Sequence, residues 1–423
     1  MSERANVLVV GGGIIGTSLA WSLAARGIAD VVVVDLDLAG VYASSELNAG
    51  GVRATWWQPV NVESCRITLD FFAQHREQFG FKSSGYLWLY ADADLFARAL
   101  VARELQAEQG LEVAALDRSE VLQRFPLIDR HTEEIIGATF SPRDGLVNPN
   151  AVRDWYRSEA LKLGVRFLNR HYVAGVETAL SGAGPLRRVE AIDVIEVDTG
   201  ADAAGSLREI LTTHRVPRAL QGEERRIPCD TLVNCLGAWS PILSAKIGIR
   251  DVTEPVRRQI ALVDVHNEDV ASGVDLGELG MLVDTSGLYL HPEGSFILAG
   301  YSTPDEPPGF DFQYDGASFF EREIWPRLAH RASSFERCAH VRGWAGLYAV
   351  TPDRSGIAGA VKGFANLFEA HSFTGRGVMQ SYAVGQSMAE LIDLGRYETV
   401  DLAPLAGDRF DDPERWVSEE LHI

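Results

Sequence analysis

Residues 5–35 read ANVLVVGGGIIGTSLAWSLAARGIADVVVVD, and this stretch decides the fold. An apolar run, Val7 to Val10, meets glycines spaced Gly11-x-Gly13-x-x-Gly16. An uncharged helical stretch follows to Ala25, then Gly27, a second apolar run from Val31 to Val34, and the acid Asp35. Strand, turn, helix and strand within about 30 residues form the unit that cradles a dinucleotide.

Each part has a physical task. Gly11 permits the tight turn, Gly13 lets the backbone approach a pyrophosphate, and Gly16 lets the helix pack close to the strand. The helix opens at Ile14 and Ile15. Its unpaired N–H groups and positive dipole end suit phosphates. Asp35 is placed to accept both hydroxyls of an adenosine ribose, Asp37 follows it, and no arginine stands nearby in sequence. That argues against a 2′-phosphate and so against NADP. The uncharged window 7–25 also fits a membrane span or a signal peptide. Its glycines, the lack of a basic region before it and the acid-flanked second strand favour the nucleotide.

The chain of 423 residues is long enough for two or three domains. Hydrophobic content of 46% and charged content of 23% fit an ordinary globular protein. A net charge of −20 argues against nucleic acid and anionic membrane surfaces as partners. Cys65, Cys229, Cys235 and Cys338 form no CxxC and no zinc spacing, so free, mostly buried thiols and no metal are expected. No other long apolar segment and no targeting signal is evident. The expectation is a cytoplasmic protein without a membrane span.

Patterning divides the rest. Helices are expected over 59–79, 92–109, 149–164 and 316–331, with Asp117–Glu120 as a capping box and Asn148-Pro149 as an N-cap pair. Strands are expected over 85–91, 165–177, 230–239 and within 255–301. Residues 179–227 break the pattern and read as a surface hairpin excursion or a partner-docking insertion. The implied fold class is α/β plus α+β. A Rossmann-like domain takes 1–80, 141–250 and 341–423, and a second domain on a mostly antiparallel sheet takes 81–140 and 251–340.

Four further segments carry a family resemblance: SSELNAGGVR at Ser44–Arg53, DGLVNP at Asp144–Pro149, LVNCLGAWS at 232–240, and GWAGLYAVTPDRSGIAG followed by HSFTGRGVM within 343–379. In this order and spacing they resemble the flavoproteins of the D-amino-acid oxidase, glycine oxidase and sarcosine oxidase superfamily over nearly the whole chain. DTSGLYLHPEG followed by DEPPGFD looks most like the branch that contains the mitochondrial FAD-dependent oxidoreductase-domain proteins.

The resemblance implies FAD in the N-terminal unit. Ser44, Ser45, Asn48, Ala49, Gly50 and Gly51 would wrap the pyrophosphate and ribityl region. Val173 would meet the adenine through its main chain, and Gly237 would lie beside the cofactor. Gly375, Arg376, Gly377, Val378 and Met379 open the last helix, whose N-terminus would face the flavin N1–C2=O edge. Relatives that attach flavin covalently use a histidine after the second strand or a cysteine near the GLY motif. Ser44–Arg53 holds neither, and Gly346 takes the cysteine position, so a non-covalent FAD is expected.

On the substrate side, Arg53 resembles the arginine that grips a substrate carboxylate. Tyr348 matches a pocket tyrosine. Tyr289 and His291 lie on a strand that usually faces the flavin, and Tyr301 and Ser302 end the next. Trp56 and Trp57 read as core. Met379 replaces the lysine with which sarcosine oxidase binds carboxylate, and Arg376 or Gln380 could supply the missing donor. Leu298 replaces the lysine over the flavin, which predicts slow reaction with oxygen.

Together these imply FAD-dependent oxidation of the C–N bond of an N-substituted or secondary amino acid, by hydride transfer to flavin N5 and hydrolysis of the imine. The electron acceptor is left open among oxygen, a quinone and a protein. Oxidation of a 2-hydroxy acid, with His291 or His371 as base, is the second reading. A non-catalytic FAD-holding assembly subunit is the third, with 179–227 as its docking segment.

Overall fold

The computed structural model describes residues 4–182, 184–270 and 273–421. Its first sheet runs in the order Ile357–Ala360, Leu367–His371, Gln221–Asn234, Ala5–Val10, Val31–Val34, Arg166–Leu168. The opening strand is parallel to both neighbours. A parallel strand covered on both faces reads as a continuous apolar run, and Val7 to Val10 are all buried.

Alternation along these strands builds two cores. Val7, Val9, Val31 and Val33 pack against the helices Ile14–Ala25 and Gly377–Leu394. These helices touch closely: Ser18 Oγ donates to the Ser381 carbonyl at 2.8 Å, and a Cβ on Gly385 would lie 2.2 Å from Ser18 Oγ. Leu8, Val10, Val32 and Val34 face the other way, onto Val173, Val189, Ile192 and Val194.

That second layer comes from the segment whose pattern was broken. His171–Leu180 pairs antiparallel with Arg187–Val197, which pairs antiparallel with the first half of Gln221–Asn234. The same long strand then joins the parallel sheet through Cys229–Asn234. The expected hairpin is therefore there, His171–Leu180 with Arg187–Val197, but it belongs to a regular β-layer with the helix Ala203–Thr213 set into it. Its outer strand positions are charged because they face solvent, and that hid the alternation.

The second sheet has the order Ala339–Val350, Glu254–Asp264, Phe296–Tyr301, Tyr289–Glu293, Met281–Val283, Tyr86–Tyr90, Gly137–Ser141, Ala114–Leu116. All its pairs are antiparallel except Met281–Val283 with Tyr86–Tyr90. Ala339–Val350 pairs with Glu254–Asp264 over its whole length, so the boundary expected at residue 341 falls inside a strand of this sheet. One face packs Leu87, Leu290, Ala261 and Ala299 on Phe319, Ile324 and Leu328. The other presents Tyr86, Trp88, Tyr289, Ile260 and Met281 toward the first sheet's loops.

The local signals are present as expected. Asp117 and Glu120 form the capping box, and Asn148 caps Pro149–Lys162 through the N–H groups of Asn150 and Ala151. The helix expected over 59–79 is interrupted at His75, between Pro59–Gln74 and Arg76–Phe79. All four cysteines are free and buried. No helix among the described residues is long and apolar enough to cross a membrane.

Candidate active site

A cavity of about 810 Å³ runs from the glycine turn of the first sheet to the aromatic face of the second. At the glycine end the three motif positions differ in what they need. A Cβ on Gly11 (φ +110°) would lie 2.4 Å from the Cys235 carbonyl oxygen, and one on Gly16 would lie 1.9 Å from that of Gly11. Those two glycines are demanded by the protein itself. A Cβ on Gly13 would meet only Ser45 Oγ, at 3.9 Å, so the room there belongs to a ligand.

Gly13 is the N-cap of Ile14–Ala25 and offers no side-chain cap, which leaves the first-turn N–H groups for a phosphate. Ser45 Oγ is buried beside them without a partner. The Asp35 carboxylate accepts the N–H of Gly12 and, at 2.7 Å, that of Asp37; burial raises its carboxyl. These groups fit a dinucleotide. Two arginines stand closer than the sequence suggested: Arg170 Nη1 lies 3.4 Å from Asp37, and Arg153 lines the cavity. Both are paired to acids, Arg153 to Glu46 and Asp154. Ile210, Leu211 and His214 also line this end, so the 179–227 segment forms part of the wall.

Farther along, Ser44, Asn48, Ala49, Gly51, Val173, Gly237 and Gly346 all line the cavity. Gly50 does not: it packs on the DGLVNP segment, where a Cβ would sit 2.6 Å from the Val147 carbonyl oxygen. Gly375 (φ +81°) turns the chain into Gly377–Leu394, and Gly375, Gly377, Val378 and Met379 face the cavity. A Cβ on Gly377 would meet nothing within 4 Å, the open approach a flavin edge needs at a helix N-terminus.

Arg376 departs from expectation. Its guanidinium turns away from the cavity into the core, 4.5 Å over the Trp56 ring, and Nε, Nη1 and Nη2 have no hydrogen-bond partner among the described residues. Burial lowers its pKa to about 10. Its backbone N–H is also taken, donating to the Phe373 carbonyl at 2.9 Å, so its neighbours Gly375 and Gly377, not Arg376, face the cavity. Gln380 is likewise in the core, donating to Asn61 at 3.1 Å.

Of the substrate-side candidates, Arg53, Tyr289, Tyr301 and Tyr348 line the cavity. Arg53 is 1% exposed and stacked 3.5 Å over Trp56. It donates from Nη1 to the Thr55 carbonyl at 3.0 Å and from Nη2 to the Leu421 carbonyl at 2.8 Å. Trp56 lines the cavity as well as the core, beyond the role expected of it. Burial raises the Tyr289 and Tyr348 phenols, so both stay protonated. His291 does not reach the cavity: it is 1% exposed, its Nδ1 is held 2.8 Å from the Pro292 carbonyl, and burial lowers its pKa. A buried neutral ring tied to its own strand is core, not a base. His371 touches the cavity but aims both nitrogens inward, Nδ1 at Ser372 Oγ (2.8 Å) and Nε2 toward Glu369 and Asp251 (3.5 and 3.9 Å).

Sequence reasoning missed Tyr86 and Arg258, both in the cavity wall. The signal for Arg258 was there. It stands two residues before Ile260 on Glu254–Asp264, so strand alternation puts it on the cavity face. Leu298 is buried, and Arg258 is a cation of the cavity wall that stands in a different position from the lysine that Leu298 replaces.

Comparison with known proteins agrees with this geometry. A family model described as "FAD dependent oxidoreductase" (DAO) matches residues 6–391. A relative from Xenopus laevis, "FAD-dependent oxidoreductase domain-containing protein 1", is 30% identical over 99% of this chain and 84% of its own length. Human mitochondrial dimethylglycine dehydrogenase is 22% identical over 95% of this chain and 44% of its own length. Among solved structures, L-proline dehydrogenase from P. horikoshii superposes with a TM-score of 0.78 at 22% identity, covering 97% of this chain and 99% of that one.

Proposed function

The chain belongs to the DAO family of FAD-dependent oxidoreductases, and from that premise we propose that it oxidises the C–N bond of an N-substituted or secondary amino acid of the sarcosine, dimethylglycine or proline kind. The supporting observation is one continuous cavity that joins the Gly11–Gly16 cradle to an aromatic wall bearing arginines, closed by the N-terminus of Gly377–Leu394.

FAD, when bound, would supply a two-electron acceptor for a hydride from a carbon bonded to the amine nitrogen. The protein's own share is position and exclusion of water. Tyr289, Tyr348, Ile260 and Met281 give a mostly apolar surface against which a small amino acid is oriented. An arginine of the wall holds its carboxylate. The substrate enters as the neutral amine, so no side chain has to remove a strongly held proton, and the imine product hydrolyses after release. Oxidation of a 2-hydroxy acid would need a base at the hydroxyl, and neither His291 nor His371 is turned toward the cavity centre.

Product analysis tests this reading. The holoprotein is turned over with a dye acceptor on N-methyl and cyclic amino acids and on 2-hydroxy acids. Formaldehyde, a released amine or a cyclic imine from the first group is the expected outcome. A keto acid from the hydroxy acids, with no turnover of amines, would overturn it.

A further inference from the structure

Arg257 and Arg258 are neighbours in one strand with opposite fates. Arg257 turns outward into a cage of acids, with Glu306 Oε1 at 2.6 Å and Asp315 Oδ1 at 3.1 Å. Arg258 turns inward and lines the cavity. Its Nη1 donates to the Arg257 carbonyl at 3.0 Å, its buried Nε has no partner, and no carboxylate lies within ion-pair distance of it among the described residues. A partly buried guanidinium without an acid beside it is costly, and an anion from outside the chain would offset that cost.

Its place is specific. The guanidinium lies 5.5 Å from the centre of the Tyr348 ring. That ring packs on Gly375, where a Cβ would come within 2.7 Å of it. One phenol ring therefore separates Arg258 from the turn that opens the last helix. Across the strand pair, Arg258 stands opposite Gly346, which also lines the cavity and packs on Leu47. Arg53, by contrast, has already committed Nη1 and Nη2 to backbone carbonyls and is stacked against Trp56.

We propose that Arg258 receives the substrate carboxylate and that Arg53 is a fixed part of the wall. The inference rests on the amino-acid reading above for what the carboxylate belongs to. It names the residue that selects acids over neutral amines: a planar fork matches a carboxylate, and an amide or alcohol leaves it unpaired.

The test uses the FAD-loaded full chain and the visible flavin spectrum, titrated with benzoate and with benzamide as neutral control. Benzoate is expected to perturb the spectrum saturably and benzamide not to. Arg258→Met should weaken benzoate by roughly thirtyfold or more, the loss of one partner of a buried charge pair. Arg258→Lys, which keeps the charge without the fork, should fall between, and serves alone if the Met variant does not hold FAD. Benzoate binding within twofold of wild type in both variants overturns the proposal. So does a wild-type spectrum that benzoate leaves unchanged, or a flavin potential that moves in Arg258→Met while benzoate affinity does not. The two readings fail separately. Reduction by amino acids with benzoate binding indifferent to Arg258 sinks only this inference. Arg258-dependent benzoate binding with no reduction by any amine sinks only the amine reading.

Discussion

At the residue scale, the three motif glycines make distinct demands, and the distances behind them give each a separate test. Gly16→Ala puts a methyl 1.9 Å from a backbone oxygen, so helix and strand must separate. It should cost about 3 kcal/mol of stability, the upper range of overpacking, measured by urea unfolding. Gly13→Ala meets no protein atom closer than 3.9 Å. Its apoprotein should unfold like wild type while the purified protein carries little FAD. Equal loss of stability in both variants would contradict the assignment of Gly13 to the ligand. The spacing and the task of each glycine were legible in sequence; the contacts that enforce them, with the Cys235 carbonyl and the Ser45 loop, were not.

Asp144 gives a pH prediction. It is fully buried, accepts from Ala54 N and Thr55 Oγ1, and is pushed up to about 6 by burial. The folded protein thus holds its proton more tightly than the unfolded chain, where a carboxyl titrates near about 3.9. The stabilisation is fully present below about pH 4 and is lost as pH rises through about 6. Relative to Asp144→Asn, wild type should lose about 3 kcal/mol of unfolding free energy between pH 4 and 7.5. A difference that does not change with pH would contradict it. The sequence marked Asp144 only as part of DGLVNP; its pairing with the Arg53 loop is a long-range contact no local pattern announces.

At the element scale, the C-terminal tail acts as a structural strut. Glu419 is fully buried and accepts the backbone N–H groups of Trp57 and Gln58 and the Asn61 amide. Two residues on, the Leu421 carbonyl holds Arg53. Glu419→Ala leaves three donors without their acceptor, and Arg376 loses an acid whose charge raises its pKa. It should destabilise the protein by about 3–5 kcal/mol, read by urea unfolding. A loss under about 1 kcal/mol would show that the tail is peripheral. Nothing in the sequence of the tail signals this role, since a lone acid in a polar terminus ordinarily reads as solvated. In 179–227 the exposed charges drew attention to the surface, while the helix Ala203–Thr213 puts Ile210 and Leu211 in the cavity wall. Helix caps, by contrast, were legible because Asp117, Glu120 and Asn148 act within four residues.

At the scale of the whole molecule, two sheets meet across one cavity, and each contributes half of the chemistry. The first brings the nucleotide cradle, and its motif made the fold readable from 31 residues. The second brings the aromatic wall that the proposed function assigns to the substrate. Its identity rests on alternation along Glu254–Asp264, Tyr289–Glu293 and Ala339–Val350, which decides that Arg258, Tyr289 and Tyr348 face inward. His291 shows the limit of that logic: it shares a strand face with Tyr289, but lies past the cavity's edge. Position along the strand, not pattern, separates the two. The central claim is that this cavity brings a secondary or N-substituted amino acid to bound FAD. The most direct measurement is an anaerobic titration of the holoprotein with sarcosine, dimethylglycine, proline and 2-hydroxy acids, following the visible flavin absorbance. The account predicts full bleaching by at least one of the amino acids at saturating concentration, and none by the hydroxy acids. A flavin that stays oxidised with every amine, or that only a hydroxy acid bleaches, would contradict it.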